Sequence, residues 1–498
     1  MNNTLLMGKN ITLLILIILF SPGVPHAGAQ EVKQLTLGEV IRLSELQSPE
    51  AMMARHRFRA SYWQYRTYVA QYRPSLTLSG TTPDYTTAYT RVYVDGIWEF
   101  VPTNMLQNIG SLSLSQNIGS TGGSISLESD LTLQNDFEAE TRKYMTVPMS
   151  IRLTQPVFRY NSLKWQRRIE PLKYETARKT FIANMENVHL QAVNLFFQLA
   201  LAQINREIAI TNLLNADTLY TIASGRYSLG TIAEDELLQM RLSYLNAETD
   251  RKKANMNLRD REIRLRSFLG YNDKVRLELI LPDSIPDLQV DIQEVLDLAM
   301  ANNPSVMEQQ LTVLNARSNL AQAKADKGLN ANVFASFGLQ GKDSDFKTAY
   351  DVLNRNQGVR FGFSLPLLDW GLGRGKYRMA KSSLELAQVQ ENQALNDFRS
   401  NLFLDVEQFN LQKSQVEIAA RSDTVASRMF EVTKARFMIG KISILELNNA
   451  DAKKDQNRRA YIQALQDYWY FFYNIRRLAL FDFLNKTPLT TDFEMLLE

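Results

Sequence analysis

The chain of 498 residues contains no cysteine, which removes a lipid anchor, a disulfide framework, a thiolate metal site and a cysteine nucleophile together. Histidine is nearly as scarce, with three in all. Only His56 and His189 lie beyond residue 29, and neither sits in an HExxH spacing, so no catalytic residue, metal site or cofactor is expected. Net charge is also missing. Lys plus Arg number 56 against 53 for Asp plus Glu, which offers no electrostatic argument for nucleic acid. Finally, no apolar run reaches the roughly 20 residues that a membrane helix requires. The run ITLLILIILF (11–20) is short, follows Lys9 and precedes Ala27 and Ala29, so residues 1–29 read as a secretory signal peptide cleaved after Ala29. The densest aromatic run, YWYFFY (468–473), is short and set among charges. An exported chain of this kind enters a membrane only as a closed barrel.

What the chain does have is an internal repeat. RYSLGTIAEDELLQ (226–239) returns about 210 residues later as RFMIGKISILELNN (436–449). Pro156 to Gly230 spans 74 residues, as does Pro366 to Gly440. Upstream, LGEVIRLSELQSPE (37–50) matches IQEVLDLAMANNPS (292–305) at an offset of 255, which leaves about 45 extra residues in the middle of the first half. The expected organisation is a first repeat over 30–290 and a second over 291–498. Each runs helix, alternating segment (74–157 and 330–367), long helix (162–228 and 374–438), glycine turn and return helix. A linker at 270–291 closes the first repeat and a short tail the second.

Between Gly375 and Gly440 there is neither proline nor glycine, and Leu395, Phe398, Leu402, Val406 and Phe409 recur every three or four residues, one apolar stripe of a helix. Such a helix is about 96 Å long at 1.5 Å per residue, too long for an ordinary globule. In its first-half counterpart, Pro171 is tolerable only in the opening turns. The shorter helices at 232–269 and 292–327 are expected to stack end to end and match one long helix.

The middle segments change period. PSLTLSG, GSLSLSQ, SISLESDLTL, PMSIRLT, NVFASFGL and VRFGFSL alternate apolar with polar residues, as strands with one apolar face do. That face suits the inside of a soluble sandwich or the lipid side of a membrane barrel, and alternation does not choose. VYVDGIWEFVP reads as a hairpin turning at Asp95-Gly96. WGLGRGKY (370–377) lacks the spacing of a phosphate loop, and Tyr377 stands where the metal-binding hydroxyl would be, so a strand-to-helix corner is expected. Export, strands at one end of every long helix and glycine turns at the other favour a barrel in the outer membrane continued by a helical tube into the periplasm. The rival is an exported soluble coiled-coil structural or adhesive protein, which leaves the paired alternating segments unexplained.

These features resemble the TolC family of outer-membrane efflux proteins over essentially the whole mature chain. The resemblance rests on the repeat, on Gln155-Pro156 and Leu365-Pro366 before the long helices, and on two turns of the form Arg-aromatic-x-x-Gly with an acid six residues on. It implies a mixed α+β membrane protein: a trimeric outer-membrane β-barrel continued by a long periplasmic α-helical barrel, each protomer contributing four helical columns. It further implies a passive export duct with a periplasmic adaptor, an inner-membrane transporter and outer-membrane lipid as partners. Gly230 and Gly440 would turn the periplasmic tips, and Arg226, Tyr227, Arg436 and Phe437 would serve adaptor docking or tip packing. Glu446, with Asn449 in place of a second acid, and Glu236 in the first half would line the constriction. Where the family latches neighbouring tips with a Tyr and an Arg, this chain has Phe437 and Ile442, which cannot form that polar latch. The extra residues of the first half would either add strands to the shared barrel or build a hairpin above an ordinary twelve-strand one. The echo of LSLSQNI (112–118) in IRLTQPV (151–157) marks a duplicated hairpin-like piece within them.

Overall fold

The computed structural model describes residues 31–94, 96–271 and 275–497, so the expected signal peptide lies outside the described residues. The chain opens with β1 (Glu31–Thr36), α1 (Leu37–Gln47) and α2 (Pro49–Ala70). Four long strands follow, β2 (Ser75–Val94), β3 (Ile97–Ile118), β4 (Gly123–Asp136) and β5 (Thr141–Val157), then the helices α3 (Ser162–Ser228) and α4 (Glu234–Phe268). After β6 (Val275–Ile280), α5 (Ile292–Asn302) and α6 (Pro304–Asp326) lead into β7 (Asn330–Asp343), α7 (Phe346–Asp351) and β8 (Asn354–Ser364). The chain closes with α8 (Leu372–Met438), α9 (Ile444–Ala479), β9 (Phe481–Asp482) and β10 (Thr487–Pro488).

Helices α3 and α8 have 67 residues each, about 100 Å at 1.5 Å per residue. Pro171 is the tenth residue of the 67-residue α3, past the first turn but still within the opening turns to which sequence reasoning confined it. The helix continues past it without the rung to the Arg167 carbonyl.

The shorter helices depart from the expected stacking. The helix foreseen at 292–327 is broken at Asn303, which is extended because Pro304 follows and takes the first helical position of α6. The same device separates α1 from α2 at Ser48-Pro49. Strand β6 pairs in parallel with β1 and draws the chain sideways out of α4. Helix α4 therefore ends against the α1–α2 junction, where a Cβ on Gly270 would lie 3.6 Å from the Gln47 carbonyl. Helix α9 ends against the α5–α6 junction, where Asn303 donates to the Leu478 carbonyl at 2.9 Å. Thus α2 continues the column of α4, and α6 that of α9. Sideways, α4 packs on α3, α3 on α9 and α9 on α8, while nearer the sheet α2 packs on α3, α3 on α6 and α6 on α8. The layer has four columns, with α2/α4 at one edge and α8 at the other.

Its main core lies midway along the rod. Phe196 and Phe197 of α3, Leu402, Val406 and Phe409 of α8, and Leu465 and Tyr468 of α9 are buried together, each contributing about 1.5–3 kcal/mol of apolar burial. The aromatic run 468–473 therefore belongs to this core, and the Tyr468 hydroxyl donates to the Pro286 carbonyl at 2.7 Å. The C-terminal tail folds back beside this mid-rod belt, where Phe493 lies 4.9 Å from the Phe58 ring in a separate small cluster with Phe181. No helix among the described residues is long and apolar enough to cross a membrane.

The long strands form one six-stranded antiparallel sheet in the order β2-β3-β4-β5-β7-β8. Val94 pairs with Ile97 and Gly96 has φ +90°, as the tight hairpin expected there requires, while Asp95 lies outside the described residues. The echoed segments 112–118 and 151–157 lie in β3 and β5, on either side of β4, where Leu114, Leu127 and Ile151 form one row.

Candidate functional site

The sheet has two unlike faces. On one, Leu76, Leu114, Leu127, Ile151 and Phe337 form a cross-strand row, and Ile125, Leu153, Ala335 and Val359 form the next. On the other, Ser75, Ser115, Ser126, Arg152 and Ser336 stand in register, and Arg152 forms ion pairs with Glu128 and Asp130. A sandwich would bury the apolar face under a second sheet. Here Leu78 and Val359 are 79% and 81% exposed, which excludes the sandwich and matches a wall with lipid outside and a polar lumen inside.

Aromatic residues bound this apolar band. Away from the helices Tyr85 meets Phe137 at 6.5 Å and Tyr144 meets Phe346 at 5.5 Å; at the helical end Phe158 and Trp370 are exposed. The fourteen residue-to-residue steps from Tyr144 to Phe158 rise about 35 Å for strands tilted about 40°, close to the ~30 Å of a bilayer's hydrocarbon core.

At the opposite end of the rod the two tips share one construction. Gly230 (φ +69°) and Gly440 (φ +74°) take the left-handed position after α3 and α8, where a side chain would be strained. Their amides donate to the carbonyls of Tyr227 and Phe437, and the next amides, of Thr231 and Lys441, reach back to Arg226 and Arg436. That pair of bonds closes the helix end, and each arginine lies in the last turn, where its charge offsets the helix dipole. On the return side the Ser443 hydroxyl accepts from the Glu446 amide at 3.4 Å. Glu446 and Glu236 each sit in the first turn of their helix, a favourable place for an acid.

The chain is similar to solved outer-membrane channels along almost its entire length. The Campylobacter jejuni CmeC outer membrane channel shares 14% identity with a TM-score of 0.65, over 92% of this chain and 88% of that one. The outer membrane protein VceC of Vibrio cholerae shares 14% with a TM-score of 0.62, over 91% and 97%. The open state of the Neisseria gonorrhoeae MtrE outer membrane channel shares 12% with a TM-score of 0.52, over 91% of each chain. No curated relative matches the sequence. The family profile for outer membrane efflux proteins matches residues 40–271 and 295–477. The chain belongs to the outer membrane efflux protein family. It is an export channel of the outer membrane, with its helical part in the periplasm, and the soluble coiled-coil reading falls. Channels of this family are homotrimers that work with periplasmic adaptors and inner-membrane pumps.

Within this efflux protein the expected site residues fall in different environments. Tyr227, Arg436, Glu236, Glu446 and Asn449 are exposed and Arg226 is half-buried. Phe437 packs instead against Phe430, Leu447 and Ala450, with Leu219 beside them. Glu446 and Asn449 are exposed, about 100° around α9 from the buried pair Leu447 and Ala450, and the Glu446 carboxylate has no hydrogen bond or ion pair among the described residues.

Sequence reasoning passed over several features. Leu229 and Ile439, just before the tip glycines, are strongly exposed, and their signal was the repeated Leu/Ile-Gly-x-Ile of 229–232 and 439–442. A polar ladder joins α3 to α9 through Asn194–Gln466 (3.1 Å), Asn205–Arg459 (2.7 Å) and Asn212–Asp455 (2.8 Å). His189 is buried with its Nε2 2.5 Å from Glu45 and its Nδ1 3.3 Å from Glu186. Arg476 then links Glu186 (3.3 Å) to Asp482 (2.9 Å). Burial alone would lower the His189 pKa, but hydrogen bonds and charge from Glu186 and Glu45 outweigh it and raise it to about 9. The cluster ties α1, α3, α9 and the tail together at the belt.

Proposed function

We propose that three copies of this efflux protein close around one axis, each setting its α8 edge against the α2/α4 edge of the next. The observation that carries this reading is an apolar stripe left uncovered on each edge column. Leu404, Leu411, Ile418, Val425 and Val432 recur every seven residues along α8 and are 47–67% exposed, the spacing of a coiled-coil seam. Leu238, Leu242, Leu245, Met256 and Ile263 form the exposed counterpart on α4. A single chain covers neither.

Such a trimer presents six tips at its periplasmic end. Arg226, Tyr227 and Arg436 form the docking surface for a periplasmic adaptor, which in turn recruits an inner-membrane transporter, and Phe437 holds the tip together. Gly230 and Gly440 set the sharp reversal. The three Glu446 carboxylates face one narrow axis, where they repel one another and attract cations. Asn449 leaves that ring less charged than a double acid would, and Glu236 flanks it from the first-half tip. Lipid of the outer membrane covers the Leu, Ile and Phe face of the wall. The test is Glu446→Ala in single-channel recording. Loss of cation preference and of block by divalent cations supports the constriction, whereas unchanged conductance, selectivity and block remove Glu446 from it.

A further inference from the structure

We infer that the shared barrel has eighteen strands, six from each of three copies, with β2 of one copy hydrogen-bonded to β8 of the next. The inference rests on the threefold closure proposed for the helical edges and goes beyond it. Six strands do not close on themselves, since the smallest outer-membrane barrels need about eight. A strand edge left open toward lipid strands its amides and carbonyls without partners. The two open edges are β2 and β8, the ends of the sheet order.

Four observations point to β2 and β8 as each other's partners. Strands β2 and β3 stand in the lipid band, because Leu76 and Leu114 continue the row of Leu127 and Ile151. Direction fits as well: β2 runs away from the helices and β8 toward them, so their contact is antiparallel, as every other contact in the sheet is. Length fits, since the lipid-band part of β2, residues 75–85, has the same eleven residues as β8. The columns beneath agree, because β2 follows α2 at one edge of the helical layer and β8 precedes α8 at the other.

Perimeter gives a further check. Eighteen strands about 4.8 Å apart and tilted about 40° close a ring of roughly 113 Å. Twelve helical columns spaced about 9–10 Å close one of roughly 108–120 Å. Twelve strands at that tilt would close only about 75 Å. The wall then continues the tube at constant width, and restriction falls to the tips.

The upper half of the β2–β3 hairpin has a separate fate. Strand β4 ends at Asp136 opposite Met105, so residues 86–94 and 97–104 extend beyond the wall as a two-stranded ribbon carrying Tyr89, Tyr93, Trp98 and Phe100. One hairpin thus supplies wall below and an extension above.

The cysteine-free chain allows a direct test by disulfide trapping in native membranes. Thr77→Cys, Ser79→Cys and Thr81→Cys in β2 are each combined with Gly358→Cys, Arg360→Cys or Gly362→Cys in β8. A second series pairs the same β8 positions with Ser124→Cys or Ser126→Cys in β4, and a third joins Ile263→Cys in α4 to Leu411→Cys in α8, or Met256→Cys to Ile418→Cys, pairs that lie level along the rod. The expected result is a covalent three-chain band on denaturing gels from the β2–β8 and α4–α8 series and single chains from the β4–β8 series. Three-chain bands from β4–β8 would mean a twelve-strand closure and overturn the inference. Bands from α4–α8 alone would overturn it too while leaving the trimer intact. Single chains in all three series would overturn the trimer itself.

Discussion

The seam between copies can be weakened without touching the fold of one chain. Leu411 and Ile418 on α8 are 54% and 61% exposed, so they contribute little to the isolated protomer. Covering the exposed half of each at a neighbouring α4 yields about half of the ~1.5–3 kcal/mol of a fully buried aliphatic side chain, or about 1 kcal/mol. Leu411→Ser combined with Ile418→Ser removes two such contacts from each of three seams, roughly 6 kcal/mol per trimer. At 1.4 kcal/mol per decade that is about four orders of magnitude in the association constant. The assay is mass determination in detergent over a dilution series, with helix content followed by circular dichroism. Dissociation to monomers of unchanged helicity is expected, while Glu417→Ala, on another face of α8, stays trimeric. A double variant that remains trimeric at the same dilutions as the parent would refute the α4–α8 seam.

Other predictions address the wall, the belt and the tips. Leu127→Arg places a charge on the lipid face and is expected to cost about 2 kcal/mol. Urea unfolding in detergent should show this loss, with Ser113→Arg on the lumen face, opposite Glu128, nearly neutral. The His189 pKa is raised from 6.5 to about 9, so its cluster stabilises fully below about pH 6.5 and loses that contribution, roughly 3 kcal/mol, as pH rises through about 9. Unfolding midpoints between pH 6 and 10 should fall accordingly, and His189→Gln should abolish that dependence. Gly440 has open space around it but a left-handed backbone, so Gly440→Ala should cost about 1 kcal/mol and speed amide exchange at residues 437–444 without altering the barrel.

Legibility in the sequence followed the range of the interactions. The long helices could be read because a stretch without glycine or proline and the stripe from Leu395 to Phe409 are local signals. The tip glycines could be read because a left-handed residue after a helix excludes almost everything else. The breaks before Pro49 and Pro304 were readable too, yet at 304 the helical periodicity of 292–327 masked the proline. The stacking of α4 under α2 depends on the parallel pairing of β1 with β6, whose residues lie about 240 apart, and carries no local mark. The alternating segments are equally good sandwich and barrel strands, and the distinction lies in what covers Leu78 and Val359. Along α8 the buried stripe drew attention from the heptad of Leu404 to Val432 on another face of the same helix. His189 gave no signal, because Glu45 lies 144 residues away.

The central claim, a threefold duct with one end in a membrane, is tested most directly by electron microscopy of the mature protein extracted in detergent. Threefold hollow rods are predicted, with a helical shaft of about 100 Å and a detergent belt at one end only. Solid rods without a belt, or protein that stays dispersed without detergent, would contradict the account.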